Sequence, residues 1–354
     1  MSLLVCPSPL RDAEELPSSL SSLPPAPDGP ALPQPRGPVS RALIELLRDA
    51  PDATDGRAPI ALSSTDEDAH LALHCIYELS YRGFAGVSDE WEWDPRVLAV
   101  RRTLERRFED EVRRAVAVSG LTDGARTVQD VIDRFSGPSL SSFMEREGSR
   151  EQFTEFCIHR SAYQLKEADG HSWGLPRFSG PRKAAFVEIQ ADEYGNGRIG
   201  EAHADLFASV LTALGTDAVY GSHIDAIPAT TLATDNLVSL FGTQRRLRSA
   251  LLGHLAGFEM TSVVPMSRYL QAARRLGLGP RVERFYAVHV DADTHHGALA
   301  ATQLVGADPE ADGLDSTEIR FGTAAMLVLE DRFARSVLDA WAAGRSSLRT
   351  ASAA

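Results

Sequence analysis

The stretch that decides how this chain is read runs Phe285-Tyr-Ala-Val-His-Val-Asp-Ala-Asp-Thr-His-His296. Wound as an α-helix at about 100° per residue, it brings His289, Asp293 and His296 to within roughly 60° of one another. Val282, Phe285 and Ala300 fall on the same stripe, while Asp291 and His295 turn to the opposite side. Two imidazoles and a carboxylate therefore aim inward from successive turns. Buried ionisable groups are unfavourable unless they pair or hold a cation. Taken alone, the segment leaves three readings open: a hydrogen-bonded core network, a plain Asp/His surface face, or a metal-binding face.

Other segments add inward polar groups. Glu259 lies on the apolar stripe of Leu252, Leu255, Ala256 and Val263, and His203 is in line with Phe207, Val210 and Leu214. Glu193 precedes His203 across Tyr194-Gly-Asn-Gly-Arg-Ile-Gly200. Each of these glycines would cost about 1 kcal/mol inside a helix, so the sequence predicts a break there. A break is also required, because an unbroken helix would set Glu193 and His203 roughly 80° apart. The inward set is thus Glu193, His203, Glu259, His289, Asp293 and His296. Carboxylate oxygens and imidazole nitrogens without thiolate suit non-haem iron or manganese better than structural zinc. Carboxylates and histidines inside a helical bundle are how dinuclear iron sites are built.

Working outward, the 354 residues suffice for a large hydrophobic core, and 43% hydrophobic with 24% charged residues is a globular composition. A net charge of −13 argues against a general nucleic-acid binder. No run approaches the roughly 20 apolar residues of a membrane span, and Met1–Ser8 lacks the basic start of a secretory signal. A cytoplasmic protein is expected. Cys6, Cys75 and Cys157 are too few and too far apart for a disulfide framework or a four-cysteine metal site. Ten of the 20 prolines fall within residues 1–40, which reads as a flexible tail.

Beyond the tail, helices dominate. Arg41–Arg48 is a short amphipathic segment, and Thr65–Asp68 resembles a capping box opening a helix to Tyr81. Asp94-Pro95 opens a helix whose stripe is Val97, Leu104, Phe108, Val112 and Val116. Thr127–Phe135 is another helix, Ser136–Ser142 a loop, and further helices are expected over 149–168, 182–194, 198–214, 236–262, 279–304 and 317–342. Alternating β patterns are nearly absent, so the fold class is all-α. The expected division is a tail (1–40), an N-terminal helical extension (41–145), a core (146–345) and a C-terminal tail (346–354).

The ordered pieces Glu193-x9-His203, Glu259 and His289-x3-Asp293-x2-His296 resemble the ligand pattern of haem-oxygenase-like diiron oxidases and oxygenases, whose bacterial members are often labelled iron-containing redox enzymes. The neighbouring text "HRSAYQLKEADGHSW", "VEIQADEYGNG" and "HADLF" is similar too, and the resemblance runs from about 65 to 340. It implies a haem-oxygenase-like helical bundle, two Fe(II) ions, O2 as co-substrate and a second iron that is labile. It also implies a small substrate, such as an amino acid, amine or fatty acid, and leaves room for an electron donor. N-oxygenation, desaturation and oxidative C–C cleavage are all open. Some relatives recruit a further carboxylate, for which Glu167 is the matching position; its alternative is a salt bridge with Arg160. Glu188 competes with Glu193 but lacks the interval to His203.

Tyr269 and Tyr286 are expected either to donate hydrogen bonds to ligands or simply to pack. Trp91-Glu-Trp93 is read as an anchor for the extension, and His171 and Trp173 as loop residues near an entrance. The alternative functions are a haem enzyme or a non-catalytic small-molecule-binding protein of the same fold. A homodimer is compatible with an exposed apolar helix face.

Overall fold

The computed structural model describes residues 29–54, 60, 65–306 and 308–350, and every regular element among them is a helix. The N-terminal part contributes α1 (Pro38–Leu47), α2 (Asp66–Glu78) and α3 (Pro95–Ser119). Asp94 caps α3 by accepting from Arg96 N at 2.8 Å, with Pro95 in the first turn. The buried stripe of α3 is Val97, Val100, Leu104, Phe108, Val112 and Val116, as its periodicity predicts. The capping box at Thr65 forms only half. Thr65 accepts from Asp68 N at 3.4 Å, but the buried Asp68 carboxylate caps α1 instead, taking Val39 N at 2.9 Å and Ser40 N at 2.7 Å. The anion sits at the positive end of α1 and ties it to α2.

Short helices α4 (Val128–Asp133) and α5 (Leu140–Arg146) lead into α6 (Arg150–Gln164) and the single turn α7 (Asp169–Ser172). The loop expected over Ser136–Ser142 is cut short because Ser139 Oγ accepts from Ser142 N at 3.2 Å and starts α5. Then come α8 (Gly180–Glu193), α9 (His203–Leu214), α10 (Ala229–Thr243), α11 (Arg248–Thr261), α12 (Val263–Arg275), α13 (Pro280–Leu299) and α14 (Ser316–Ala342). The single helix expected over 236–262 is two, because Gln244 turns extended (φ −95°, ψ 104°). The residues following α13, Ala300–Leu304, wind as a π turn.

Three apolar clusters meet around the centre. The largest joins α1, α2 and α3 to α10, α11 and α14 through residues such as Leu43, Leu71, Trp91, Phe241 and Leu329. Trp91 is fully buried and its indole N–H donates to Asp49 O at 3.0 Å, whereas Trp93 is exposed. A second cluster unites α5, α6, α9, α12, α13 and the end of α14, and a third unites α4, α8, α11 and the start of α14. The helices α11 and α14 cross so closely that a Cβ on Gly253 would collide with the Ile319 carbonyl, and one on Gly322 with the Ala250 carbonyl.

Both expected tails need correction where they are described. Residues 1–28 and 351–354 lie outside the described residues. Pro30 O accepts from Ala85 N at 3.0 Å, Gln34 N donates to Asp225 at 2.8 Å, and Pro38 already opens α1. At the other end, Ser347 N and Oγ reach Glu155 at 2.9 and 2.7 Å, and Arg349 N donates to Ala226 O at 2.9 Å. Proline removes donors but leaves carbonyls, so a Pro-rich strand can still be fixed against a body. No helix among the described residues is long and apolar enough to cross a membrane.

Candidate metal centre

Five positions along the chain deliver the polar groups. Glu167 lies in the turn between α6 and α7. Ala168 beside it takes a left-handed conformation (φ 73°), which an L side chain tolerates only where its surroundings fix it. Those surroundings are Gln190 of α8, whose amide donates to Ala168 O at 2.9 Å, and Lys166, paired with Glu78 at 2.6 Å and Asp235 at 3.1 Å. Glu193 is the last residue of α8 and His203 the first of α9. The expected break between them is present, with Asn196 also left-handed (φ 53°). Glu259 comes from α11, and His289, Asp293 and His296 from successive turns of α13. Gly297 lets α13 settle on α11, since a Cβ there would stand 2.9 Å from Glu259 O.

These residues converge as two groups that share one member. Glu167, Glu193, His203 and His289 form the first, and Glu193, Glu259, Asp293 and His296 the second; within each group the potential ligand atoms lie within 4.8 Å of one another. In the first, His203 Nδ1 is 2.7 Å from Glu193 Oε2, and Glu167 Oε2 is 4.0 Å from His203 Nδ1 and 3.4 Å from His289 Nε2. In the second, His296 Nδ1 is 3.4 Å from Glu259 Oε2 and 3.9 Å from both Asp293 Oδ1 and Glu193 Oε1. The two oxygens of Glu193 thus face different groups.

The imidazoles are oriented from behind. His289 Nδ1 donates to Phe285 O at 2.8 Å, which leaves Nε2 as the lone-pair nitrogen toward the first group. His296 Nε2 lies 3.0 Å from Asp192 Oδ2, which presents Nδ1 to the second. Burial alone would lower both imidazoles. The surrounding carboxylates outweigh it, Glu167 foremost for His289 and Glu259 for His296, and hold them at about 10 and about 9. Burial raises Glu259, and Glu193 and Glu167 add to the rise; Asp293 is raised to about 6 by burial and then by Glu259. Without a cation the centre is thus a compressed cluster of like charges that takes up protons.

Whether these residues fit metal ions can be tested on the hydrogen bonds they do not make. Glu167 Oε2, Glu193 Oε2, His203 Nδ1, His289 Nε2, Asp293 Oδ2 and His296 Nδ1 are all buried without a hydrogen-bond partner. Buried polar atoms are nearly always satisfied, and six of the exceptions gather here around a common space. An all-oxygen-and-nitrogen donor set of this kind is compatible with iron. The buried thiols of Cys75 and Cys157 belong to neither group, and burial pushes Cys157 up to about 12.

A space of about 50 Å³ beside the two groups is walled by Glu167, Glu193, Glu259, His289 and Asp293. It shares Tyr163, Gln164, Phe258, Ser262 and Met266 with a cavity of about 430 Å³. That cavity runs between α5, α6, α12, α13 and α14 and is mostly aromatic and aliphatic.

The five residues singled out by periodicity, Glu193 singled out by its interval to His203, and Glu167 all come together here. The alternative salt bridge for Glu167 does not form: Arg160 instead grips Glu330 with two bonds of 2.7 and 2.6 Å. Glu188 lies outside, paired with the exposed His295 at 2.8 Å. Tyr269 and Tyr286 line the larger cavity rather than bonding to the ligands. Tyr269 stacks on Phe156 at 4.5 Å, and the Tyr286 hydroxyl faces Cys157 Sγ at 3.8 Å. His171 is buried, not a loop-edge residue, with Nε2 2.9 Å from His254 Nδ1. Asp192 escaped the sequence reading. Its one signal was adjacency to Glu193 at the end of a helix.

The family model described as iron-containing redox enzyme matches residues 154–331, a span that contains every residue of the two groups. No curated protein matches the chain.

Proposed function

The chain belongs to the iron-containing redox enzymes, and from that premise we propose that it is a non-haem diiron oxidase or oxygenase that uses O2 on a small metabolite. The observation that carries this reading is Glu193, whose two carboxylate oxygens face two separate donor groups. A single shared carboxylate is the arrangement expected where two ions lie side by side. Two ferrous ions held here would supply the electrons that reduce O2 and the oxidising power turned on the substrate.

The chain's own part is to hold, orient and neutralise. His203 and His289 with Glu167 would complete the first ion's sphere, and His296, Glu259 and Asp293 the second's. Glu167, Glu193, Glu259 and Asp293 carry four negative charges, which balance two divalent cations. Phe285 O and Asp192 fix which nitrogen of His289 and His296 is offered. His289 and His296 would have to give up the protons that the carboxylates otherwise keep on them before acting as ligands, so metal affinity would rise with pH. Phe258, Tyr163 and Met266 wall the approach and keep bulk water from it. The class of oxidation within N-oxygenation, desaturation and C–C cleavage is fixed by the substrate.

The test is an anaerobic Fe(II) titration followed by mixing with O2. Two iron ions per chain and iron-dependent O2 consumption are expected. A saturating stoichiometry of one, or no O2 uptake by a protein shown to hold iron, overturns the proposal.

A further inference from the structure

The larger cavity has an unusual charge arrangement for a site that adjoins a metal centre. Among the described residues, Arg160 is the one basic side chain in its wall and Glu330 the one acidic side chain. They are bonded to each other in the two-point geometry that best matches guanidinium to carboxylate. The guanidinium also lies 4.4 Å from the Phe333 ring centroid and 5.6 Å from that of Phe156. Its charge is therefore neutralised and its faces are covered. The rest of the wall offers aromatic rings, aliphatic chains and hydroxyls.

Gln164 occupies the junction. It lines both the cavity and the smaller space at the metal groups, is 7% exposed, and its Oε1 is buried without a hydrogen-bond partner. It stands one helical turn before Glu167. An unpaired buried amide oxygen is unfavourable unless something that enters the site donates to it.

From these two features we propose that the substrate is a net-neutral, largely apolar molecule whose N–H or O–H group bonds to Gln164 and whose body fills the aromatic cavity. The inference rests on the dinuclear reading above, because charge balance at the centre is part of it. Four carboxylates and two divalent cations sum to zero, so the metals leave no surplus positive charge for an acid. A carboxylate entering the cavity would have to displace Glu330 from Arg160 and strand one of the two anions among rings. An ammonium would meet the same difficulty with the signs reversed. The Arg160–Glu330 pair thus works as a device against charged competitors, selecting by what it refuses.

The experiment uses iron-loaded protein under anaerobic conditions, with iron content measured on the same sample. Calorimetric titration compares three probes of one shape: 4-phenylbutan-1-ol, 4-phenylbutanoate and 4-phenylbutylammonium. The alcohol is expected to bind about tenfold or more tighter than either ion, since a charged group left unpaired in such a site loses at least that factor. In E330Q the freed guanidinium should raise acid affinity about tenfold while the alcohol is little changed. Because E330Q strands a buried charge, R160M/E330M provides a second variant with a neutral wall, and it should keep the preference of the native protein. Q164L should weaken the alcohol about fivefold, the loss of one neutral hydrogen bond, and leave phenylbutane unaffected. Equal or tighter binding of the acid or ammonium by the native protein, or binding of none of the probes, overturns the inference. Iron below two per chain strikes instead at the dinuclear reading.

Discussion

Replacing Asp192 with alanine should separate the two metal positions. Asp192 bonds to His296 Nε2 at 3.0 Å and also accepts from Asn196 Nδ2 at 2.6 Å, but it bonds to none of Glu167, His203 and His289. His296 is fully buried behind the partly exposed Asp192, so water that enters the vacated place replaces the carboxylate's hydrogen bond but not its charge. Removing such an outer partner typically weakens metal binding by about 10–100-fold. The Asp192 side chain is 37% exposed, and solvent screening places the expected loss near the lower end, about tenfold or about 1.4 kcal/mol. The position formed by Glu167, His203 and His289 should keep its affinity, because His289 takes its orientation from Phe285 O instead. Calorimetry with Fe(II) should therefore resolve one native and one weakened site. E188A, which removes the exposed partner of His295, is the matched control and should change neither. Equal weakening of both positions by D192A, or weakening of neither, would show that His296 is not held from behind in the way described.

Other perturbations follow from the same geometry. E193Q takes charge from the carboxylate that both groups share, so iron content after gel filtration should fall at both positions rather than at one. G297A places a methyl group against Glu259 O and should lower stability by about 1–3 kcal/mol in thermal or urea unfolding, with the second metal position weakened. Acid should destabilise the metal-free protein through imidazoles buried in their neutral form. Burial lowers His70 to about 4 and His159 and His171 to about 3. The unfolded chain protonates them near 6.5, so the stability they confer is complete above that pH and is lost as pH falls toward 4 and 3. Between pH 7 and 5 the loss is roughly 2 kcal/mol for each. Asp293, raised to about 6, and the raised His289, His296 and Glu259 act in the opposite direction over the same range, and together by less. A urea midpoint that rises on acidification would refute the assignment of these histidines as neutral.

Direction along a helix is written in sequence, and the identity of a partner is not. His289, Asp293 and His296 could be oriented correctly because their stripe repeats with the helical period and because Val282 and Phe285 mark which side is buried. Glu259 stood out as a charge inside an apolar run. The glycines after Glu193 announced a break. The junction of α10 and α11 left only a faint mark. Both helices are buried on nearly every face, so no change of phase separates them, and Gly242 with the polar run Thr243-Gln-Arg-Arg246 is the one local sign of the turn. Asp192 is the more instructive omission. It follows Glu193 by only one position in reverse, points about 100° away, and reads as an ordinary surface acid. What makes it matter is His296, 104 residues on, whose ring reaches it only once α13 is packed against α8. Ligands face the interior and must contradict the apolar stripe around them, so they leave a trace in periodicity. The groups that steer ligands sit at the rim, agree with their surroundings, and leave none. The same logic explains Arg160 and Glu330. Each looks like a charge on an otherwise ordinary helix until α6 and α14 are brought side by side, and only then do two unremarkable residues become the neutral wall of a cavity.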